Sequence, residues 1–364
     1  MPTPARQRYE HPTTFKMLRG ELDRPQIAYE TWGRLDGQAS NAVLLFTGLS
    51  PSAHAASSPL DPSTGWWEDM LGPDKPIDTN RFFVICVNSL GSCFGSTGPA
   101  SVPPGGSEPY RLDFPMLSVE DIARAGALVI GDLGITRLHT VIGASMGGMT
   151  ALAFAMLHPA CAQGLICISS AARSLPFSIA LRSLQRELIR SDPAWLAGQY
   201  GADAQPDAGM RLARKLGMIT YRSAEEWAER FGRERATGEI DALNPFGIDF
   251  EVESYLAAQA DKFTGAFDAN CYLYLSRAMD LFDVADHGGS VNQGMSLVET
   301  ERALIVGVET DFLFPLSQQQ ELAEALAAPG RDVTFSPLPS LQGHDSFLVD
   351  MDRFRPVIAE YFRR

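Results

Sequence analysis

The segment Gly143-Ala144-Ser145-Met146-Gly147 has the form G-x-S-x-G, and it stands between a short β-branched apolar run, 138–142, and a helical pattern, 150–157, that stops before Pro159. A strand that turns into a helix this abruptly crowds the backbone around the serine. Two residues either side of it there is little room for a Cβ, which is the mechanical need for Gly143 and Gly147. Strand, sharp turn and helix in that order lift Ser145 to the end of a sheet with its hydroxyl exposed in a cleft. The expected chemistry is acyl transfer through a serine nucleophile.

Other β-rich apolar runs, 43–46, 82–87, 164–168 and 303–308, alternate with helical patterns, which is the signature of a mostly parallel sheet flanked by helices. Ser118 opens the clearest helix, with Asp121 at capping-box distance and Ile122, Ala125, Leu128 and Val129 forming an apolar face that runs to Gly131. Between about 171 and 293 the strand pattern vanishes, and amphipathic segments rich in Arg and Glu, such as 181–190 and 224–233, take over. The chain therefore divides into an α/β core, 1–170 and 294–364, and a helical lid inserted at 171–293. A length of 364 residues suits a core plus an insertion better than one small fold.

Thirty Lys and Arg against 44 Asp and Glu give a net charge of −14, a field that repels nucleic acid and anionic membranes. Any anionic ligand must be held by a local group of arginines. The five cysteines, Cys86, Cys93, Cys161, Cys167 and Cys271, are odd in number and lack C-x-x-C spacing, so neither a disulfide framework nor a zinc site is indicated. No stretch has the length or apolar character of a signal peptide or a membrane span. A cytoplasmic, unanchored protein without a metal is expected.

A serine hydroxyl is a weak nucleophile and needs a base, and the base needs a carboxylate to fix its tautomer. Six histidines make the search short. His344 stands on a loop after the 333–335 strand, near the C-terminus, where the chain order Ser, acid, His places the base. The acid belongs on the loop after the preceding strand, in Gly307-Val308-Glu309-Thr310-Asp311, where composition alone leaves both Glu309 and Asp311 open. His11, His139, His158 and His287 have structural or solvated settings, whereas His54 lies on the loop after the 43–46 strand, which borders such a site. That same loop should supply half of an oxyanion hole. Met146 N–H, directly after the serine, is one donor, and Leu49 N–H is the other, because Thr47-Gly48 stands where a His-Gly pair is usual.

Three stretches taken together resemble the homoserine O-acyltransferase family of α/β-hydrolases: Asn88-Ser89-Leu90-Gly91-Ser92-Cys93-Phe94-Gly95-Ser96-Thr97-Gly98-Pro99, then 141–149 around Ser145, then Gly343-His344-Asp345-Ser346-Phe347-Leu348. With 307–315 and Ile219-Thr220-Tyr221, the resemblance spans nearly the whole chain. It implies an α/β-hydrolase fold with a helical lid and a triad of Ser145, Asp311 and His344. It further implies that Asp345 binds the ammonium of an amino-acid acceptor and Arg214 its carboxylate, and that copies pair through their lids as a homodimer. A zwitterion needs one fixed charge of each sign, and Arg offers a bidentate fork, so the chemistry agrees.

Two departures from the family pattern bear on substrate. Ser50-Pro51-Ser52-Ala53 replaces a glycine-containing turn beside the nucleophile, which should shorten the acceptor pocket and is closest to the members that acylate L-serine. Arg182 occupies a position that acetyl-using members tend to fill with Asn, and Arg186, four residues on, shares its helix face, so both are expected to point into one cleft. A succinyl group carries a carboxylate that an acetyl group lacks. The expected reaction is succinyl transfer from succinyl-CoA, as co-substrate, to the hydroxyl of L-serine by a ping-pong route in cysteine synthesis. A homoserine acceptor, with a succinyl or acetyl donor, is the nearest alternative, and hydrolysis of esters or thioesters is the alternative of another class.

Overall fold

The computed structural model describes residues 4–201, 204–237, 244–328 and 330–364. Near the N-terminus β1 (Gln7–Glu10) precedes a hairpin of β2 (Thr14–Met17) and β3 (Gly20–Asp23), followed by β4 (Gln26–Trp32) and β5 (Ala42–Phe46). The short pair β6 (Leu71–Gly72) and β7 (Ile77–Asp78) precedes β8 (Phe83–Val87), and β9 (Leu138–Ala144), β10 (Ala162–Ile168), β11 (Arg302–Val308) and β12 (Asp332–Leu338) complete the set. Eight of these strands form one sheet in the order β1-β4-β8-β5-β9-β10-β11-β12. From β8 to β12 every pairing is parallel, while β1 on β4 and β4 on β8 are antiparallel.

The strand pattern of the sequence recovers the parallel strands and misses β1 and β4. In β4 the reason is Glu30, a fully buried carboxylate that breaks the apolar run and is accommodated because His54 Nδ1 lies 2.8 Å away. Alternate residues of the parallel strands face opposite layers, as a strand's two-residue period requires. Leu44 and Phe46 pack in one apolar layer with α1 (Val119–Asp132) and α2 (Met146–Leu157), and Val43 and Leu45 pack in the other. Ser118 caps α1 through its side chain, reciprocally with Asp121, as its sequence signature requires.

Between β10 and β11 the main sheet receives no strand from the described residues. Helices fill the interval: α3 (Pro176–Arg190), α4 (Asp207–Tyr221), α5 (Ala224–Phe231), α6 (Glu251–Phe263), α7 (Ala269–Leu281) and α8 (Val291–Met295). The chain then returns to the sheet and its flanking helices, α9 (Leu316–Leu326), α10 (Ser346–Val349) and α11 (Met351–Arg363). Among the described residues no helix is long and apolar enough to cross a membrane.

Candidate active site

Ser145 sits between β9 and α2 with φ 56° and ψ −124°, a strained conformation for a residue that carries a Cβ. Its N–H donates to the Ile168 carbonyl at 2.9 Å, and its own carbonyl accepts from Ser170 Oγ at 2.8 Å, so the turn is held from the adjacent strand end. The flanking glycines are required by space. A Cβ on Gly143 would lie 1.9 Å from the Gly147 carbonyl oxygen, and one on Gly147 would lie 2.4 Å from that of Phe46.

The loop after β11 carries the acid. Asp311 is buried, and its Oδ1 accepts from the N–H groups of Leu313 and Phe314, both at 3.0 Å. Its Oδ2 lies 2.7 Å from His344 Nδ1, and His344 Nε2 lies 2.8 Å from Ser145 Oγ. Glu309, two residues earlier, is exposed and contributes only its backbone N–H, to the Leu338 carbonyl, so the structure separates the two carboxylates that composition left open. Thr310 Oγ1 donates to the Ser340 carbonyl at 2.7 Å and accepts from Gly343 N–H at 3.1 Å, tying the acid loop to the histidine loop.

His344 is enclosed by rings. Phe314 stacks on it with centroids 5.0 Å apart, Phe347 meets it edge-on at 5.8 Å, and Tyr221 lies at 6.0 Å. Burial alone lowers the basicity of the imidazole. The charge and hydrogen bond of Asp311, with Asp345 behind them, outweigh that cost and hold the imidazole above its ordinary value. The group is thus equipped to take a proton from Ser145 and keep it near a carboxylate.

Ser145 and His344 open on a cavity of about 160 Å³ that is lined also by Leu49, Ser50, Pro51, Arg182, Arg214 and Asp345. Met146 is the first residue of α2, so its N–H is one of the first-turn donors without an intrahelical acceptor, and it points where negative charge is favoured. Leu49 approaches from the β5 loop, which Thr47 anchors by a 3.1 Å hydrogen bond between its hydroxyl and that of Ser89. Arg214 lies over the Phe263 ring at 4.6 Å, and its buried Nε has no hydrogen-bond partner among the described residues. Burial pushes the Asp345 carboxyl up, against the opposing pull of His344, Arg222 and Arg214.

Several expectations from sequence need correction. Of the loop 50–53, only Ser50 and Pro51 line the cavity; the Ser52 hydroxyl accepts from the His54 N–H at 3.2 Å and its carbonyl from the Trp66 indole N–H at 3.0 Å, and Ala53 is buried outside the cavity. Arg182 and Arg186 do not share the cleft. Arg182 lines it, whereas Arg186 lines a separate groove with Met116, Glu187 and Arg277, because both guanidiniums are drawn to Asp280 between α3 and α7. His54 is also directed elsewhere, with Nδ1 on Glu30 and Nε2 2.9 Å from the Ser63 carbonyl. Reading from sequence passed over Trp66, Gln185, Tyr272 and Met279, all of which line the cavity. Gln185 follows Arg182 by three residues on an amphipathic helix, a spacing that puts the two on one face; Trp66 and Tyr272 left no comparable signal.

A family model described as the alpha/beta hydrolase fold matches residues 41–348. The serine O-succinyltransferase of Litchfieldella anticariensis is 59% identical over 359 residues, covering 98% of each chain. That of Stenotrophomonas maltophilia is 56% identical over 352 residues, covering 96% of this chain and 95% of the relative. Among solved structures, a homoserine O-acetyltransferase from Bacillus anthracis superposes with a TM-score of 0.91 at 27% identity, covering 100% of this chain and 99% of the other. Esterase E22 superposes with a TM-score of 0.88 at 28% identity, covering 98% and 99%. With a strained serine at the elbow and an acid and a histidine from the two following loops, this chain belongs to the serine and homoserine O-acyltransferase family of α/β-hydrolases.

Proposed function

We propose that this chain is a serine O-succinyltransferase that moves a succinyl group from succinyl-CoA to L-serine through an acyl-enzyme on Ser145. The observation that carries the chemistry is the 2.8 Å approach of His344 Nε2 to Ser145 Oγ inside a cavity that also holds two arginines and a carboxylate. The names of the relatives at 59% and 56% identity support the choice of acceptor and donor.

In the first half-reaction Ser145 Oγ attacks the thioester carbon while its proton passes to His344 Nε2. Leu49 and Met146 N–H groups receive the charge that develops on the carbonyl oxygen. The C–S bond then breaks, and His344 returns the proton to the departing CoA sulfur. In the second, His344 takes the proton of the L-serine hydroxyl, the new ester bond forms, and Ser145 regains its proton as it leaves. Asp311 keeps the imidazole in the productive tautomer throughout.

The charges of the cavity match the two substrates. Arg214 suits the amino-acid carboxylate, Asp345 the ammonium, and Arg182 the free carboxylate of the succinyl group. Ser50 and Pro51 limit the length of the acceptor. The helices of 171–293 act as a lid that excludes water, and in this reading two copies pair through them in the cytoplasm, with O-succinyl-serine serving cysteine synthesis.

The test crosses L-serine and L-homoserine against succinyl-CoA and acetyl-CoA. The highest kcat/KM is expected for the serine and succinyl-CoA pair. A higher value with homoserine overturns the acceptor assignment, and equal use of acetyl-CoA overturns the donor assignment. The likeness to esterase E22 favours a second reading, hydrolysis, and CoA release at the same rate with and without an amino acid would establish it.

A further inference from the structure

Arg182 meets the cavity in a fixed posture. Its Nε donates to Asp280 Oδ1 at 2.6 Å and its Nη2 to Ser174 Oγ at 2.5 Å, and Nη1 has no hydrogen-bond partner among the described residues. Ser174 is itself anchored, donating to the Met279 carbonyl at 2.8 Å. Asp280, on α7, has only 2% of its side chain exposed, and its second oxygen lies 2.7 Å from Arg186 Nη2. Arg186 in turn donates to Ser276 Oγ at 2.8 Å.

Two consequences follow from these contacts. A guanidinium on a long stem loses considerable rotamer freedom when a ligand immobilises it, and here that ordering is complete before any ligand arrives. Arg186 also shares the Asp280 carboxylate, so that carboxylate does not neutralise both guanidiniums, and the buried Arg182 at the cavity retains positive charge that an incoming anion would answer.

We propose that Asp280 is a positioning residue for acyl-donor selection: with Ser174 as a second strut, it clamps Arg182 so that the cavity favours an acyl-CoA whose acyl group ends in a carboxylate. This role rests on the assignment of Arg182 to the succinyl carboxylate in the preceding section. Asp280 does not line the cavity, so it acts through Arg182 and not on the substrate.

Steady-state kinetics of the full chain with L-serine and either succinyl-CoA or acetyl-CoA test the role in Asp280→Asn, Arg182→Gln and the double variant. Asp280→Asn is expected to lower kcat/KM for succinyl-CoA about tenfold, mostly through KM, with the acetyl-CoA value changed by less than about twofold. In the Arg182→Gln background the same substitution should add nothing. Equal losses with both donors, or additive losses in the double variant, overturn the positioning role. If Arg182→Gln shifts donor preference and Asp280→Asn does not, the positioning role alone falls. An unchanged preference in Arg182→Gln defeats the donor assignment itself. Should Asp280→Asn fail to fold, Ser174→Ala carries the test, with a loss of about threefold expected for succinyl-CoA only and an unchanged donor ratio overturning the proposal.

Discussion

Phe314 serves His344 in two ways at once: its ring lies against the imidazole with an interplanar angle of 22°, and its backbone N–H donates to Asp311 Oδ1, the carboxylate that orients the same imidazole. One residue therefore fixes both the plane of the base and the position of the acid. Phe314→Ala keeps the N–H and removes the ring. It should cost about 3 kcal/mol of stability from the cavity left behind, and roughly tenfold or more in kcat from the loosened imidazole. Urea unfolding and single-turnover acylation measure the two losses separately. A variant with full kcat would show that Asp311 alone suffices to orient the base.

The acid limb of the pH profile reports His344. The base must be neutral to accept a proton, and the imidazole is held above its ordinary value of 6.5, chiefly by Asp311 against the effect of burial. Activity should therefore fall with decreasing pH at a point above 6.5. Asp311→Asn removes the raising influence, so the limb moves to lower pH while kcat drops by about 10⁴ through the wrong tautomer. A limb that stays in place in Asp311→Asn would assign it to another group.

His139 is shifted in the opposite direction, and the consequence is read in stability. Burial, then Arg302 and Arg81, lower this imidazole from 6.5 to about 4, and its Nε2 accepts from Arg302 Nη2 at 2.9 Å in the neutral form. The folded state thus binds its proton less readily than the unfolded chain does. Its contribution is fully present above pH 6.5 and is lost as pH falls through about 4. Replacing it by Gln, which can still accept from Arg302, should flatten the unfolding free energy across that window. An unaltered slope from chemical denaturation at several pH values would rule His139 out as its source.

Two glycines should respond in opposite directions to the same methyl group. Gly147→Ala forces a Cβ to 2.4 Å from the Phe46 carbonyl oxygen, a rigid backbone atom, and is expected to abolish activity and lower stability by roughly 3 kcal/mol or more. Gly131, exposed near the end of α1, has nothing within 4 Å of its Cβ position. Gly131→Ala should stabilise the chain by about 0.5–1 kcal/mol at unchanged activity. Thermal unfolding of the two variants side by side checks both signs, and a destabilised Gly131→Ala would contradict the open space around it.

Acceptor recognition is tested most directly at Arg214, whose buried Nε has no hydrogen-bond partner among the described residues. Arg214→Lys keeps the charge but not the fork, and KM for L-serine is expected to rise roughly tenfold or more with KM for succinyl-CoA little changed. The reverse pattern would move Arg214 to the donor side.

Ser145 and its two glycines were legible from sequence because the elbow is a local object: three residues and a switch of periodicity from strand to helix specify it within a dozen positions. The parallel strands and the Ser118 cap were legible for the same reason. His344 could be singled out because only six histidines exist and chain order favours the last. Other features depended on which groups the fold brings together from distant parts of the chain. Whether Glu309 or Asp311 meets the imidazole depends on which way each faces after β11, two residues apart on a turn. The β4 strand escaped because its buried Glu30 makes sense only beside His54, 24 residues away. Arg182 and Arg186 were expected to act together because helical spacing places them on one face. Tertiary packing set Asp280 between them, turned Arg186 to another groove and left Arg182 at the cavity, since a buried carboxylate attracts both cations more strongly than open space does.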